Sequence, residues 1–270
     1  MRTMFTSVKA AAQREEDLQR IRELRLFDDD FMTKCFEDSI PCVELVLHIV
    51  LDRGDLRVEH MRTQYGIKNL QGRSVRLDIF ATDRDGKRYN IEIQRSDKGA
   101  VAKRARYHSS MLDANALPIG ADYDQLVETF VIFITERDML GRHLPIYHID
   151  RTIAETGAYF GDETHILYVN GECRDDTPLG ILMHDFACMN PNDMKYNVLA
   201  DRARFFKEEE EGVAIMCKTL ESMRDDVRKE TRREERLELA RGLIKDGTLS
   251  MAKIAELTHL SLDEVEELRR

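Results

Sequence analysis

The stretch that decides the fold is Arg73–Gln94, which reads RSVRLDIFATDRDGKRYNIEIQ. Apolar and polar residues alternate on both sides of Asp83–Gly86, and a period of two is typical of half-buried strands. An Asp-Gly pair is a common signal for a hairpin turn. The stretch therefore predicts two antiparallel strands joined by a tight turn.

This hairpin brings polar residues suited to metal chemistry onto one surface. Glu92 and Gln94 are two residues apart and share a face, while Asp78 on the partner strand lies opposite one of them. Two carboxylates among apolar neighbours are costly unless a cation compensates for their charge. Oxygen ligands suit Mg²⁺ or Mn²⁺ rather than zinc. Spacing alone leaves an alternative open, in which both acids lie on the solvated face of an amphipathic hairpin.

The segments on either side of the hairpin predict an α/β fold. Helical spacing precedes it over residues 28–52 and follows it over residues 100–116. Further strands are predicted at residues 56–58, 130–134, 147–150 and 165–169. Helix, strands, hairpin, helix and strands in that order predict a mixed central sheet flanked by helices.

The chain is predicted to have three regions. Residues 1–25 form a polar, loosely attached helical segment, and residues 26–190 form the α/β core. Residues 191–270 form a helical C-terminal region with dense Arg/Glu pairs. Ser261 and Glu264 predict a capping box at the start of its last helix. The final segment from Thr248 carries excess negative charge, which favours packing, homo-oligomer contacts or partner binding over DNA reading.

Composition favours a globular cytoplasmic protein. Hydrophobic residues make up 42% of the chain, and no apolar run approaches the length of a membrane span. Five scattered cysteines without a Cys-x-x-Cys pair argue against disulfides and structural zinc. The net charge of −10 opposes nucleic-acid binding, but the segment from Arg84 to Arg106 has eight basic and three acidic residues. A local basic surface beside the hairpin is therefore expected.

Several short motifs occur in an order that resembles a known superfamily. They are Phe27-Asp28-Asp29-Asp30-Phe31, Arg76-Leu77-Asp78-Ile79, Asp85-Gly86, Ile91-Glu92-Ile93-Gln94 and Lys103-Arg104-Ala105-Arg106-Tyr107. The segment from Phe27 to Leu117 resembles the PD-(D/E)XK nucleases, and more narrowly their recombination-promoting nuclease and transposase-like branch. Members of that branch often carry Glu-x-Gln in place of Glu-x-Lys. The resemblance implies a restriction-endonuclease-like core followed by a helical tail.

The resemblance also implies a metal site. In such nucleases the Asp, the Glu and the carbonyl of the next residue hold a divalent metal, and these positions fall on Asp78, Glu92 and Ile93. The residue two places after the Glu, here Gln94, positions the attacking water. The implied cofactor is Mg²⁺ or Mn²⁺, and the implied partner is DNA. A glutamine orients water but supplies no positive charge to the transition state.

A third catalytic acid is expected from a helix before the hairpin. Glu44 is the candidate, and its alternative is a place on the exposed stripe of that helix. Asp52 is a weaker substitute, and Gln64 is a further residue that approaches the site in this interpretation. The predicted catalytic set is thus Glu44, Asp78, Glu92 and Gln94.

The helix after the hairpin supplies the predicted DNA contacts. Arg104 and Tyr107 match the Arg and Tyr positions of the branch, and at i, i+3 they share a face. Arg104 is suited to hold a phosphate and Tyr107 to pack against a sugar or base. The alternative is an exposed Arg and a half-buried Tyr. Arg95 and Lys103 complete the predicted DNA-binding set.

Two functions follow from these observations. The first is a Mg²⁺-dependent DNA endonuclease that hydrolyses phosphodiester bonds and is related to mobile-element nucleases. The second is a nuclease fold with an inactive site that acts as a DNA- or protein-binding or oligomerisation module. The neutral Gln94 and the acidic helical tail motivate the second.

Overall fold

A computed structural model describes residues 2–70, 72–95 and 99–269 of the chain. The chain divides into two compact units, residues 1–216 and residues 217–270. The first unit extends past the sequence-based boundary near residue 190 to include a helix of residues 197–208.

Among the described residues, the first unit contains six strands and most of the helices. The strands are β1 (Val58–Ile67), β2 (Val75–Asp83), β3 (Arg88–Gln94), β4 (Thr129–Thr135), β5 (Ile146–Ile149) and β6 (Thr164–Asn170). The helices of the chain are α1 (Arg2–Glu23), α2 (Asp29–Phe36), α3 (Ile40–Val50), α4 (Ala102–Ala114), α5 (Pro178–Ala187), α6 (Asn197–Glu208), α7 (Glu210–Asp246), α8 (Met251–Thr258) and α9 (Leu262–Glu267). Short 3₁₀ turns occur at Tyr123–Gln125 and Pro191–Asp193.

The strands form one mixed sheet in the order β1-β2-β3-β4-β6-β5. The pairs β1–β2, β2–β3 and β5–β6 are antiparallel, whereas β3–β4 and β4–β6 are parallel. Every residue of β4 is buried, as expected for a central strand with both faces covered. The predicted mixed α/β sheet with flanking helices is therefore confirmed.

The predicted hairpin forms because its turn residues satisfy one another. Asp83 is buried, and its Oδ1 accepts hydrogen bonds from the N–H groups of Asp85 and Lys87. Its Oδ2 accepts from the Tyr89 hydroxyl at 2.6 Å. Gly86 adopts a φ of 79°, which a residue without a Cβ reaches at little cost. This turn fixes the register of β2 against β3.

Helix α4 packs against one face of the sheet. Its Ala105 and Leu112 join a buried cluster with Val131, Phe133 and Tyr168 of β4 and β6. By strand alternation, Ile132 and Ile134 face the other way. Helices α2 and α5 pack together through Phe36 and Phe186, and Phe27, two residues before α2, also contacts Phe186.

Strand β1 is longer than the sequence indicates. The predicted strand of residues 56–58 is wrong in extent, because β1 runs from Val58 to Ile67. A register shift separates Val58 from His60, and Gln64 has a φ of 50°. These irregularities break the two-residue period that sequence patterns reveal.

The second unit has its own small core. Ala240, Ile254 and Val265 are buried and bring the end of α7 together with α8 and α9. The predicted capping box is confirmed, since Ser261 and Glu264 bond reciprocally at the start of α9. Within the described residues, no helix is both long and apolar enough to cross a bilayer.

Lys207 connects three segments of the first unit. Its Nζ donates to the carbonyls of Arg22, Leu24 and Met189, and the side chain is largely buried. We expect Lys207→Met to lower the free energy of unfolding by about 2–4 kcal/mol, because it leaves buried carbonyls unpaired. Urea denaturation measures this change. Lys195→Met, at an exposed position of the same unit, should change stability by under about 0.5 kcal/mol; an equal loss in both variants would contradict the assignment.

Candidate metal and phosphodiester site

Asp78 and Glu92 face each other at the point where the β2–β3 ladder ends. The last paired residues are Ile79 and Ile91, and the same register places Asp78 opposite Glu92. Side chains replace backbone pairing from here: Asp78 N–H donates to Glu92 Oε1 at 3.3 Å. The N–H of Ile93 donates to Asp78 Oδ2 at 2.9 Å. The two acids are therefore neighbours held by the splayed ends of two strands.

Glu92 is completely buried and is held by helix α4. Its Oε2 accepts from Arg104 Nη2 at 2.7 Å, and its Oε1 lies 3.4 Å from His108 Nδ1. Phe133 underlies this pair, with the Arg104 guanidinium 5.8 Å from its ring centroid. A buried carboxylate needs such partners, because an unpaired charge in the core is very costly. The alternative of a solvated outer face does not apply to Glu92.

His108 is a second buried partner that sequence reasoning did not identify. Arg104 Nε donates to His108 Nε2 at 3.3 Å, so that nitrogen is the acceptor of the ring and Nδ1 carries the proton. Nδ1–H then points toward Glu92 and toward the Asn90 amide, 3.1 Å away. A protonated Nδ1 requires the Asn90 oxygen, rather than its nitrogen, to face the ring. Histidines on helices have many structural uses, so no sequence signal singled out this one.

Asp78 is difficult to ionise in this environment. Burial, and after it the nearby charge of Glu92, raise its pKa from the usual 3.8 to about 7. The hydrogen bond from Ile93 N–H and the charge of Arg104 act in the opposite direction. A divalent cation would relieve the repulsion that keeps this pKa high.

The raised pKa gives a testable dependence of stability on pH. The unfolded chain ionises Asp78 near pH 3.8, so its stabilising contribution is present below that pH and lost as pH rises through about 7. We expect Asp78→Asn to be more stable than the wild type in EDTA at pH 8, by about 1–3 kcal/mol, with a smaller gain at pH 5. Urea denaturation at both pH values measures the difference. A gain independent of pH would contradict the shift.

Gln94 lies next to a positive charge that its own side chain cannot supply. Its Oε1 accepts from Arg104 Nη1 at 3.3 Å, and the same Nη1 donates to the Gly99 carbonyl at 2.9 Å. A Cβ at Gly99 would stand 1.8 Å from Gln94 Oε1, so a side chain at position 99 would displace the end of the Gln94 side chain. Arg104 therefore occupies the neighbourhood in which a lysine at position 94 would place its cation.

The oxygen donors suit a hard divalent cation. Gln94 C=O accepts from Glu136 N–H on the β4 side, so by alternation the Ile93 carbonyl faces β2 and Asp78. Each carboxylate offers about four lone-pair sites, and the hydrogen bonds above leave capacity on Asp78 and Glu92. Among the described residues, no three His, Cys, Asp or Glu side chains form a metal-binding group. A cation here would depend on two carboxylates and the Ile93 carbonyl.

Glu44 is not brought to these acids. Its Oε1 accepts from Val58 N–H at 2.8 Å, and Val58 pairs with Asp83 at the turn end of the hairpin. Asp83 is five residues from Asp78, which corresponds to about 17 Å along a strand. The expectation that Glu44 joins the site is wrong in this structure, because α3 leads into the opposite end of β1. Asp52 lies in the same α3–β1 connection.

The acid that approaches Asp78 comes from α2 instead. Asp29, the first residue of that helix, contributes to the raised pKa of Asp78 through its charge. Gln64 donates to Asp29 Oδ1 at 3.2 Å and to Thr33 Oγ1 at 3.0 Å. Gln64 therefore contacts Asp29 rather than Asp78 or Glu92 directly. The Asp28-Asp29-Asp30 run is the sequence signal for this acid, and it is one of the motifs that resemble the superfamily. Its spacing alone does not connect it to Asp78.

The four predicted DNA contacts separate into two groups. Arg95 pairs with Asp28 at 2.6 Å and approaches Glu136, so acids already hold it. Lys103, Arg104 and Tyr107 line a cleft of about 950 Å³ between α4 and the start of β2. Asp97 and Lys98 of the basic segment lie outside the described residues.

The cleft is basic on both sides. Its cations are Arg73, Arg76, Lys103, Arg104 and Arg106, and its described lining contains no acidic residue. Arg104 also contacts Glu92, so the inner end of the cleft meets the acid pair. Of the basic residues between Arg84 and Arg106, Lys103, Arg104 and Arg106 line this cleft, where Arg73 and Arg76 join them.

Comparison with known families identifies the fold. Residues 47–172, which contain all six strands and α4, match the family model described as PD-(D/E)XK nuclease family transposase. This match confirms the resemblance seen in the motifs. Searches of curated proteins and of solved structures returned no match.

Proposed function

We propose that the protein is a metal-dependent DNA endonuclease that hydrolyses phosphodiester bonds. The observation that carries the proposal is the pair Asp78 and Glu92, opposed where the β2–β3 ladder ends. The match of residues 47–172 to a nuclease family model supports nuclease-like chemistry in general. The assignment to metal-dependent hydrolysis of DNA rests on the oxygen donors of this pair.

The chemistry of each residue at the site indicates its role. Asp78, Glu92 and the Ile93 carbonyl would hold Mg²⁺ or Mn²⁺, with Asp29 close enough to add negative charge. When bound, such a metal polarises the phosphodiester and lowers the pKa of water. Gln94 orients the attacking water by hydrogen bonding.

Arg104 supplies the fixed positive charge that Gln94 lacks. Its guanidinium contacts both Glu92 and Gln94, so it is placed to stabilise negative charge on a phosphate bound between them. A cation from α4 thus compensates for the neutral residue at position 94. His108 holds Glu92 and the Nε of Arg104 in place.

Cleavage of supercoiled plasmid tests the proposal. Purified protein should nick DNA with Mg²⁺ or Mn²⁺ and stop when EDTA is added, because the acids cannot polarise a phosphate themselves. Calorimetric titration should show Mn²⁺ binding that Asp78→Asn abolishes. Cleavage that continues in EDTA would exclude the metal-dependent mechanism.

A second candidate function is a nuclease fold that binds nucleic acid or protein without cleaving. Its specific support is the Arg104–Glu92 contact at 2.7 Å, which neutralises one carboxylate without a metal. The helical tail, with exposed Leu257 and Leu262, would then provide homo-oligomer contacts. Mn²⁺ binding that depends on Asp78 would exclude this candidate in its strict form.

A further inference from the structure

The cleft beside the acids has the shape and charge of a binding site for an extended anion. Its walls come from the residues that begin β2 and from the first two turns of α4. Arg73 and Arg76 stand on one wall, and Lys103 and Arg106 on the other; all four are exposed. Their charges converge on one volume, although the whole chain carries a net charge of −10.

These four cations have no acidic partner among the described residues, which distinguishes them from many other basic residues of the fold. Arg25, Arg95 and Lys87, for example, are each paired with an acid. Unpaired arginines and lysines on facing walls repel one another, and binding an anion removes that repulsion. The arrangement therefore favours a polyanion over a single small ion.

The floor of the cleft is suited to the rest of a nucleotide. Tyr107 lies in it, with its hydroxyl bonded to the Arg73 carbonyl and to Asn69, so the ring is fixed between the two walls. Val101 is about half exposed beside it. A half-buried ring and an apolar side chain provide a surface for sugars and bases, as in channels that bind single strands.

The inner end of the cleft decides which form of nucleic acid fits. The cleft leads to Arg104, whose side chain is 34% exposed and whose partner Glu92 is fully buried, so a phosphodiester must pass between the two walls to reach Arg104. A volume of about 950 Å³ has room for about three nucleotides of one strand, at the upper end of the range for ligand pockets. A strand in a duplex turns its bases to the complement and cannot be enclosed from both sides.

We propose that this cleft binds a single-stranded segment of DNA, about three nucleotides long, that leads to the Asp78–Glu92 pair. The substrate class is then DNA with an unpaired end, flap or gap, and intact duplex binds poorly. The proposal rests on the proposed function only for the role of the acids. Binding in the cleft itself needs no metal.

The test is fluorescence polarisation of labelled oligonucleotides with full-length protein in EDTA. A single-stranded 20-mer and a duplex with a single-stranded tail should bind at least about tenfold more tightly than the blunt duplex. Four free cations predict that log K falls with log salt with a slope of about −3. A blunt duplex that binds as tightly as the single strand would overturn the proposal and favour ordinary duplex binding.

Charge-reversal variants locate the site. Arg73→Glu, Arg76→Glu and Lys103→Glu should each weaken single-strand binding at least about tenfold, and the first two together should reduce the salt slope to about −1. Arg84→Glu is the matched control, because Arg84 is exposed at the turn, about 26 Å along β2 from Arg76. Equal losses from the control would overturn the assignment. Variants on both walls keep the test decisive if one fails to fold.

The nuclease proposal and the single-strand proposal can be refuted independently. Single-strand binding in EDTA without cleavage in Mn²⁺ would support the cleft and reject the nuclease. Cleavage of blunt and tailed duplex at equal rates, with no binding preference, would support the nuclease and reject the single-strand cleft.

Discussion

Asp78→Asn and Glu92→Gln should each lower metal-dependent cleavage by at least about a thousandfold, equivalent to about 4 kcal/mol of lost transition-state stabilisation. Both substitutions keep the size of the side chain and remove a negative oxygen from the proposed metal ligands. The loss should appear in the initial rate of plasmid nicking with Mg²⁺ and with Mn²⁺.

Asp85→Asn is the matched control for this pair. Asp85 is exposed in the same hairpin, at the turn rather than at the splayed ends, so its cleavage rate should stay within about twofold of the wild type. The Asp78 and Glu92 variants should still bind single-stranded DNA in EDTA, since they leave the cleft cations in place. Unchanged cleavage in Asp78→Asn would remove the acids from the reaction.

Arg104→Met should lower the free energy of unfolding by about 2–4 kcal/mol in EDTA, a large effect for one residue of a helix. Glu92 is fully buried, and this change removes its cation while leaving the charge in the core. Because the Arg104 side chain is 34% exposed, we expect the lower part of the range that such pairs show.

A double-mutant cycle separates this electrostatic cause from lost packing. Arg104→Met combined with Glu92→Gln should recover most of the lost stability, since no unpaired charge then remains. Arg106→Met, an exposed position of the same helix, should cost under about 0.5 kcal/mol. Additive effects of Arg104→Met and Glu92→Gln would show that the contact contributes nothing as a pair.

The sequence was sufficient for the hairpin, because local signals determine it. The Asp-Gly turn and the two-residue period predict antiparallel strands, and the short turn limits the registers that place Asp78 near Glu92. The parallel pairing of β3 with β4 depends on contacts distant in sequence. The motif resemblance, rather than periodicity, supplied the family.

Local sequence patterns could not locate the acid that a helix contributes to the site. Helical spacing identifies a helix around Glu44 but does not say at which end of the sheet that residue lies. The structure places Glu44 at the turn end and Asp29 near Asp78. The pairing of Arg104 with Glu92 was equally hidden, because it joins a helix to a strand twelve residues away through burial that no local pattern encodes.

The cost of charge on Asp78 also links stability to the proposed reaction. Burial beside Glu92 makes a neutral residue at position 78 the more stable choice at neutral pH. Under the proposed function, the fold bears this cost in stability for a carboxylate that a cation can bind. The same substitution that weakens the reaction would then make the folded chain more stable.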